Sequence, residues 1–395
     1  MDTTQFLTQY LVSRHHTNSL KWDALEKKFG NADLTAMWVA DMEFKTCPAI
    51  TAALEGRVAH GVYGYTLIPD SYYDAVIGWH KRRHGYTLKR EWFRFSSGVV
   101  NALYSVINAL TQPGDGVLIL TPVYYPFHYA INDTGRTLYT SDLVADESGR
   151  YYIDFTDVEA KLRSGHVRMF ILCNPHNPVS RVWSEAELTR LFVLCNEYDV
   201  QIISDEIHQD IIPGSLPFTP ALRVANGKYQ DRIIVVNSAS KSFNLASLLH
   251  SHLFIPNENV RKQYMAYMKT LGHIEPNALS ITATEAAYTH GDDWLDALID
   301  VIRQNAVTFS RRLKEEAPKL IITPLEGTYL CWVDFRAYLA PEATKAFLQD
   351  TCGVAVDFGE WFAPHCQGFA RFNLATDPAI VEDVARRIGD GLASR

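Results

Sequence analysis

An α/β fold with a mostly parallel sheet between helices is predicted by three observations. Helical patterns separate the candidate strands, and strand–helix–strand order implies right-handed crossovers in a parallel sheet. Each candidate strand ends at polar, Gly or Pro residues, as buried strands do. The candidate strands themselves are short apolar runs rich in Val and Ile, and they cover residues 116–120, 167–173, 200–204 and 232–237.

The clearest helix signal lies between two of these runs. Ser184 and Glu187, three residues apart, form a capping box, which marks the start of a helix. The helix is predicted to end near residues 198–199. Its apolar side chains fall on one helical face, and they are Leu188, Leu191, Phe192, Leu194 and Cys195.

The length of the chain predicts a large and a small domain, because 395 residues exceed what one hydrophobic core usually holds. After about residue 285 the pattern changes to a long amphipathic helix (294–313), two apolar stretches (327–333 and 368–373) and a closing helix from Pro378. This order is typical of an α+β unit. We therefore predict an N-terminal segment that joins the small domain (1–45), a large ligand-binding domain (46–285) and a small C-terminal domain (286–395).

Composition narrows the class of protein. The net charge is −8 with no long run of one sign, which does not favour nucleic acid as a partner. No basic-then-apolar segment begins the chain and no apolar run is long enough to cross a bilayer, so a cytoplasmic protein without a membrane partner is expected. Six scattered cysteines form no C-x-x-C pair, and we expect them to be reduced and buried.

Three polar residues follow separate strands of the predicted sheet: Asn177, Asp205 and Lys241. Ligands of such sheets bind at the carboxyl ends of the strands, so these side chains are expected to meet. A lysine amine can hold pyridoxal phosphate covalently, a carboxylate can keep its pyridine nitrogen protonated, and an amide can donate to its phenolic oxygen. Each residue alone has a simpler interpretation, such as a solvated lysine or a helix cap. Together they predict a pyridoxal phosphate enzyme.

The phosphate end of such a cofactor needs hydrogen-bond donors. Gly98, Val99 and Val100 lie between a strand-like run and a helical pattern, where free backbone N–H groups can face an anion. Most turns of this kind merely start a helix. Ser238 and Ser240 can add hydroxyl donors. A stacking ring is also expected, and Tyr124 follows the 116–120 strand, although a tyrosine is more often a packing residue.

Four histidines raise the question of a metal site, and they are His15, His16, His250 and His252. No Cys or carboxylate is spaced to complete a site with them. We therefore predict no metal, and we expect solvated or capping roles for these side chains.

The same residues carry a family resemblance. Residues 177–178, 204–208 and 240–244 resemble the signature stretches of fold-type I pyridoxal phosphate enzymes, the aspartate aminotransferase superfamily. More narrowly, residues 37–44, 62–66 and 172–178 resemble the cystathionine β-lyase (C–S lyase) branch, the MalY/PatB group. The similarity extends from about Trp38 to Asn373.

This resemblance implies roles for individual residues. Lys241 would hold the cofactor and transfer protons, while Asp205, Asn177 and Tyr124 would hold the cofactor ring. His208 would approach the phenolic oxygen. Arg371 would bind the carboxylate of a small amino-acid substrate. Tyr63 would reach the phosphate or substrate of a neighbouring subunit, because sites in this superfamily are completed across a homodimer.

The implied activity is β-elimination from cystathionine or a related cysteine conjugate, with release of a thiol, pyruvate and ammonia. Two alternatives remain open: an aminotransferase on the same scaffold, and a pyridoxal phosphate-binding regulatory protein with incidental turnover. The chain departs from the superfamily at two places. Val179–Ser180 replace the common Thr-Gly after Asn-Pro, and Leu249 stands where many aminotransferases have a phosphate-binding arginine.

Overall fold

The protein is built around a seven-stranded sheet, and the computed structural model describes residues 1–272 and 275–393. Its strand order is β2-β10-β9-β8-β7-β3-β4. The strands of the described chain are β1 Thr35–Ala36, β2 Phe93–Ser96, β3 Gly116–Thr121, β4 Thr137–Asp142, β5 Val144–Ala145, β6 Tyr151–Tyr152, β7 Val167–Cys173, β8 Gln201–Asp205, β9 Ile233–Asn237, β10 Ser251–Phe254, β11 Ile321–Ile322, β12 Leu330–Asp334, β13 Val354–Ala355, β14 Asp357–Phe358 and β15 Phe369–Asn373.

Helices cover both faces of this sheet and connect its strands. Over the same residues they are α1 Thr3–Tyr10, α2 Leu20–Asp23, α3 Leu25–Phe29, α4 Pro48–His60, α5 Asp70–His84, α6 Val99–Leu110, α7 Pro126–Asn132, α8 Phe155–Arg163, α9 Glu185–Glu197, α10 Ala239–Ser242, α11 Glu258–Thr270, α12 Ala278–His290, α13 Asp292–Glu316, α14 Thr344–Ala346 and α15 Pro378–Ala393.

The predicted α/β fold with a mostly parallel sheet is confirmed. Strands β9, β8, β7, β3 and β4 run parallel, and the four apolar runs of the sequence are β3, β7, β8 and β9. Strand β10 is the exception, because it pairs antiparallel with both β9 and β2.

Alternate side chains of the central strands enter two different hydrophobic clusters. Leu118 and Leu120 of β3 pack in one cluster, while Val117 and Ile119 pack in the other with α6 and α11. Successive side chains of a strand point to opposite faces, so a sheet covered on both sides needs apolar residues throughout. This is why β3 is one continuous apolar run.

The capping box at the start of α9 is present as predicted. The Ser184 hydroxyl accepts from the Glu187 backbone N–H at 3.3 Å, and the Glu187 carboxylate accepts from the Ser184 N–H at 2.8 Å. The helix ends at Glu197, one residue before the predicted limit.

A second sheet of four antiparallel strands, β11-β12-β15-β14, lies in the C-terminal part of the chain. Helix α13 links it to the large sheet: Trp294 and Ile302 pack in the larger core, whereas Phe309 and Leu313 pack in the smaller one. The N-terminal segment contacts both cores, through Phe6 in the larger one and through the pairing of β1 with β13. The domain limits at residues 45 and 285 stay predictions.

Several expectations about single residues are settled by burial. All six cysteines are buried, as expected. The expectation for two histidines is wrong: His250 and His252 are neither solvated nor capping, but buried against the Tyr72 hydroxyl. Each Nε2 atom lies 2.5 Å from that hydroxyl, which can donate to one imidazole and accept from the other. Burial lowers the pKa of His250 to about 4, so this ring is neutral at pH 7.

Two further results concern the described residues. No helix there combines the length and the apolar character that a membrane span requires. Likewise, no group of three or more His, Cys, Asp or Glu side chains in this part of the chain is arranged to hold a metal ion.

The Tyr72 hydroxyl should matter for stability. Tyr72→Phe leaves two buried imidazoles without their shared partner, so we expect the free energy of unfolding to fall by about 1–3 kcal/mol. Denaturant unfolding followed by circular dichroism measures the change. Tyr73→Phe is the matched control, because its ring packs on Phe93 and its loss of a hydroxyl should cost under ~0.5 kcal/mol. Equal effects of the two substitutions would contradict the prediction.

Candidate active site

A cavity of about 410 Å³ lies at the carboxyl ends of β3, β7, β8 and β9. The parallel arrangement of these strands brings together polar residues that are far apart in the sequence. Of the predicted cofactor and substrate residues, those lining the cavity are Gly98, Val99, Val100, Tyr124, Asn177, Asp205, His208, Ser240, Lys241 and Arg371.

Two of the predicted residues do not line this cavity. The Ser238 hydroxyl donates to the His250 carbonyl at 2.6 Å and accepts from the Ser240 N–H at 3.1 Å, so it caps α10. Tyr63 is exposed, and its hydroxyl lies 3.5 Å from the Val58 carbonyl. Their proposed contacts with a phosphate or a substrate stay predictions.

Lys241 lies in α10, directly after β9, and its partly buried side chain lines the cavity. Its Nζ donates to the Ala40 carbonyl at 2.6 Å. Burial lowers the pKa of Lys241 to about 8, and the charge of Arg371 acts in the same direction, while Asp41 and Asp205 oppose this shift. At pH 7 roughly one tenth of the amine is therefore unprotonated, far more than for an ordinary lysine with a pKa of about 10.4.

Asp205 is the last residue of β8 and is buried. Its Oδ1 accepts from the Ile207 backbone N–H at 3.1 Å. Burial raises the pKa of Asp205 to about 7, although the Ile207 N–H and the charge of Lys241 both lower it. The carboxylate can therefore bind a proton, or share one with a basic nitrogen, near neutral pH.

Asn177 and Arg371 form a buried polar contact across the cavity. Arg371 lies on β15, where one terminal nitrogen donates to Asn177 Oδ1 at 2.9 Å and the other pairs with Asp357. The guanidinium carbon lies 5.0 Å from the centre of the Phe362 ring. Because Asn177 uses its oxygen on Arg371, its amide N–H groups remain available to a ligand.

Two ring side chains complete this part of the cavity. Tyr124 follows β3, and its backbone N–H donates to the Asn177 carbonyl at 3.1 Å. His208 is buried edge-on against Tyr329, with ring centres 5.8 Å apart. Burial lowers the pKa of His208 well below its ordinary value, so the ring is neutral. Its Nδ1 has no hydrogen-bond partner among the described residues.

The start of α6 also lines the cavity. Gly98 has φ +145°, a conformation that side-chain-bearing residues rarely adopt, and α6 has no side-chain cap at its N-terminus. Its first backbone N–H groups can therefore face an anion. Ser97, Asn101 and Ser240 line the same cavity, as does Leu249 at the position where many aminotransferases have an arginine.

Sequence reasoning missed the role of the segment around Ala40. The Ala40 carbonyl accepts from the Tyr329 hydroxyl at 2.8 Å as well as from Lys241. Asn373 Nδ2 donates to the carbonyls of Val39 at 2.7 Å and Asp41 at 2.6 Å. The resemblance of residues 37–44 to the C–S lyase branch pointed to this segment. No side chain in it indicates that a backbone carbonyl accepts a hydrogen bond from the lysine.

This set of groups fits pyridoxal 5′-phosphate. An enclosed amine is available for an aldehyde, a buried carboxyl for a pyridine nitrogen and a free amide for a phenolic oxygen. The start of α6 offers free N–H groups to a phosphate.

Comparison with known proteins agrees with this fit. The family model for aminotransferase class I and II matches residues 33–388. Cystathionine β-lyase PatB of Bacillus subtilis is 39% identical over 378 residues, which cover 95% of this chain and 97% of PatB.

Two solved structures are also similar. Cystalysin of Treponema denticola, which contains pyridoxal 5′-phosphate, matches with a TM-score of 0.92 at 31% identity, over 97% of this chain and 98% of cystalysin. The pyridoxal phosphate-bound C–S lyase of Staphylococcus hominis matches with a TM-score of 0.89 at 33% identity, over 97% of both chains.

The fold and the cavity thus define a pyridoxal phosphate-dependent enzyme of fold type I. The chain belongs to the aminotransferase class I and II family. The resemblance to the MalY/PatB branch seen in the sequence is confirmed.

The lowered pKa of Lys241 can be tested directly. We expect chemical acylation of Lys241 in the cofactor-free chain to show a midpoint near pH 8, because burial disfavours the charged amine. An ordinary lysine has a pKa of about 10.4. Pulse labelling at increasing pH, read by mass spectrometry, gives the midpoint, and the exposed Lys81 serves as the internal reference for reagent reactivity. A midpoint above pH 10 for Lys241 would refute the assignment.

Proposed function

We propose that the protein is a pyridoxal phosphate-dependent C–S β-lyase that cleaves L-cystathionine or related cysteine S-conjugates into a thiol, pyruvate and ammonia. The observation that carries this proposal is the convergence of Lys241, Asp205, Asn177 and Arg371 on one cavity. Such a set suits an amino-acid substrate. The 39% identity to PatB over nearly the whole chain supports elimination rather than another reaction of the same cofactor.

The cofactor would be held at four points. Lys241 would bind its aldehyde carbon, Asp205 its pyridine nitrogen, Asn177 its phenolic oxygen and Tyr124 the face of its ring. When bound, pyridoxal phosphate supplies an aldehyde that joins the substrate amino group and a ring that withdraws electrons from the α-carbon.

Lys241 is the proposed base. With a pKa of about 8 its amine can take the proton from the substrate α-carbon, and its contact with the Ala40 carbonyl fixes the amine within the cavity. The Cβ–S bond then breaks, and its electron pair leaves with sulfur as a thiolate. Water adds to the remaining three-carbon fragment to give pyruvate and ammonia.

Arg371 is the proposed site for the substrate α-carboxylate. A guanidinium can bind a carboxylate through two parallel hydrogen bonds, which fixes the orientation of the α-carbon. The contact of Arg371 with Asn177 ties this orientation to the proposed cofactor contact of the same asparagine. Substrate and cofactor would thus be aligned by one polar network.

The phosphate would bind without an arginine at position 249. The supporting features are the free N–H groups at the start of α6 and the polar side chains of Ser97, Asn101 and Ser240. Such donors bind phosphate through the dipoles of N–H and O–H groups instead of a full positive charge.

The assay that tests the lyase proposal needs no second substrate. L-Cystathionine alone should give thiol and pyruvate in equal amounts, measured with a thiol reagent and a coupled lactate dehydrogenase reaction. Lys241→Ala should lower the rate by about 10⁴-fold, because both the covalent contact and the base are lost. Lys81→Ala, at an exposed lysine, is the matched control. Turnover that occurs only after addition of a keto acid would instead establish the alternative, an aminotransferase.

We further propose that the protein acts in the cytoplasm as a homodimer with shared active sites. Six scattered and buried cysteines suit a reducing compartment. Support for the dimer comes from an apolar exposed stretch after α4, in which Val62, Tyr63, Tyr65 and Leu67 are all exposed. Tyr63 would enter the cavity of the partner subunit.

Subunit complementation tests the shared site. Lys241→Ala and Tyr63→Ala should each be nearly inactive alone. After the two are mixed and refolded together, half of the dimers are hybrids with one intact site, so we expect about one quarter of the wild-type rate. Tyr65→Ala serves as the control for loss of an exposed ring in the same stretch. A mixture no more active than the mean of its components would mean that each subunit builds its own site.

A further inference from the structure

Arg371 already has an anionic partner inside the cavity. Asp357 on β14 is the direct cross-strand neighbour of Arg371 on β15, and its carboxylate pairs with one terminal nitrogen of the guanidinium. Both side chains are buried, with 3% of the Arg371 side chain and 4% of the Asp357 side chain exposed. Because the register of the two strands sets this contact, it is a built feature of the fold.

A substrate carboxylate at Arg371 would therefore meet a second carboxylate. Asp357 lines the same cavity as Arg371, and the guanidinium has one positive charge to share. Two buried carboxylates beside one cation cannot both remain ionised without a large loss of affinity. Binding thus requires that one of them give up its charge.

The charged and titratable groups that face Asp357 do not remove this conflict. Apart from Arg371, they are Lys21 on α2, Lys28 on α3, and Tyr124 and Tyr125 before α7. Lys21 is engaged by Glu43 at 2.9 Å, and Lys28 lies over the ring of Trp361. No second cation is in contact with Asp357 among the described residues.

Burial raises the pKa of Asp357 above its ordinary value, while the charges of Arg371, Lys28 and Lys21 lower it, with Arg371 the largest of the three. When a ligand carboxylate takes a share of Arg371, the opposing effect weakens and the burial effect remains. The side chain then gains affinity for a proton.

We propose that Asp357 competes with the substrate carboxylate for Arg371 and takes up a proton from solvent when the substrate binds. This inference rests on the proposed role of Arg371 as the carboxylate site. Asp357 is a positioning residue in this scheme: it holds the guanidinium in place before binding and makes the affinity for amino acids depend on pH.

The direction of that dependence follows from the proton balance. Proton uptake accompanies binding, so the affinity of the wild-type enzyme for a carboxylate ligand should fall as pH rises. The affinity should fall by at most about tenfold per pH unit, over the pH range in which Asp357 is ionised in the free enzyme and protonated in the complex. Without an ionisable group at position 357, this dependence disappears.

The probe is 3-(methylthio)propionate, which has the carboxylate and thioether of a cysteine conjugate but no amino group to react. Isothermal titration calorimetry on the holoenzyme between about pH 6 and 8 gives its dissociation constant, because the probe stays ionised there. Repetition in two buffers of different ionisation enthalpy gives the number of protons taken up. The variants are Asp357→Asn, Arg371→Ala and, as matched control, Asp334→Asn, which removes the same charge from a residue paired with Arg336.

We expect the wild type and Asp334→Asn to take up about one proton per site and to bind more weakly at higher pH. Asp357→Asn should take up none, show a flat profile and bind the probe at least about tenfold tighter at pH 8. The amide oxygen of this variant can still accept from Arg371, so its folding should be preserved. The number of protons taken up by the wild type is measured independently of any variant.

Three results would overturn the inference. One is a wild-type enzyme that takes up no proton, and another is an Asp357→Asn variant that binds no tighter than Asp334→Asn. The third is full binding by Arg371→Ala, which would reject the carboxylate site itself and thus the proposed role of Arg371. Loss of binding in Arg371→Ala with unchanged binding in Asp357→Asn would reject the competition alone.

Discussion

Burial of an amine and a carboxyl in one cavity is the constraint on which the rest of the site depends. In water the pKa values of lysine and aspartate are about 10.4 and 3.9. Burial moves both toward neutrality, to about 8 for Lys241 and about 7 for Asp205, and each charge partly offsets the shift of the other. Both groups can therefore gain or lose a proton near neutral pH. In water, neither group would do so.

The two groups are brought together by strand order and held by register. Asp205 ends β8, between β7, which leads to Asn177, and β9, which leads to Lys241. A slip of one residue in β8 would turn Asp205 to the opposite face of the sheet. Since apolar side chains fill both faces, such a slip would bury Asp205 in a hydrophobic cluster. Packing of the core thus fixes the position of the Asp205 carboxyl.

The sequence predicted those features that depend on neighbouring residues or on strand order. The capping box of α9 and the carboxyl-end placement of Asp205 are local or topological, and the structure has both. The sequence assigned the Ser238 hydroxyl to a phosphate, which stays a prediction; it did not indicate that this hydroxyl donates to the His250 carbonyl. The contact of Arg371 with Asp357 depends on the pairing of two short strands, and no spacing along the chain signals that pairing.

The Ala40 carbonyl shows why the site depends on the whole chain. It accepts from Lys241 of α10 and from Tyr329, while Asn373 at the end of β15 donates to the carbonyls on either side of it. A main-chain acceptor cannot be replaced by a side-chain substitution at residue 40. Its position can be altered only through the groups that hold it. Residues distant in sequence, such as Tyr329 and Asn373, therefore control where the amine of Lys241 lies, and the cavity cannot be assigned to one part of the chain.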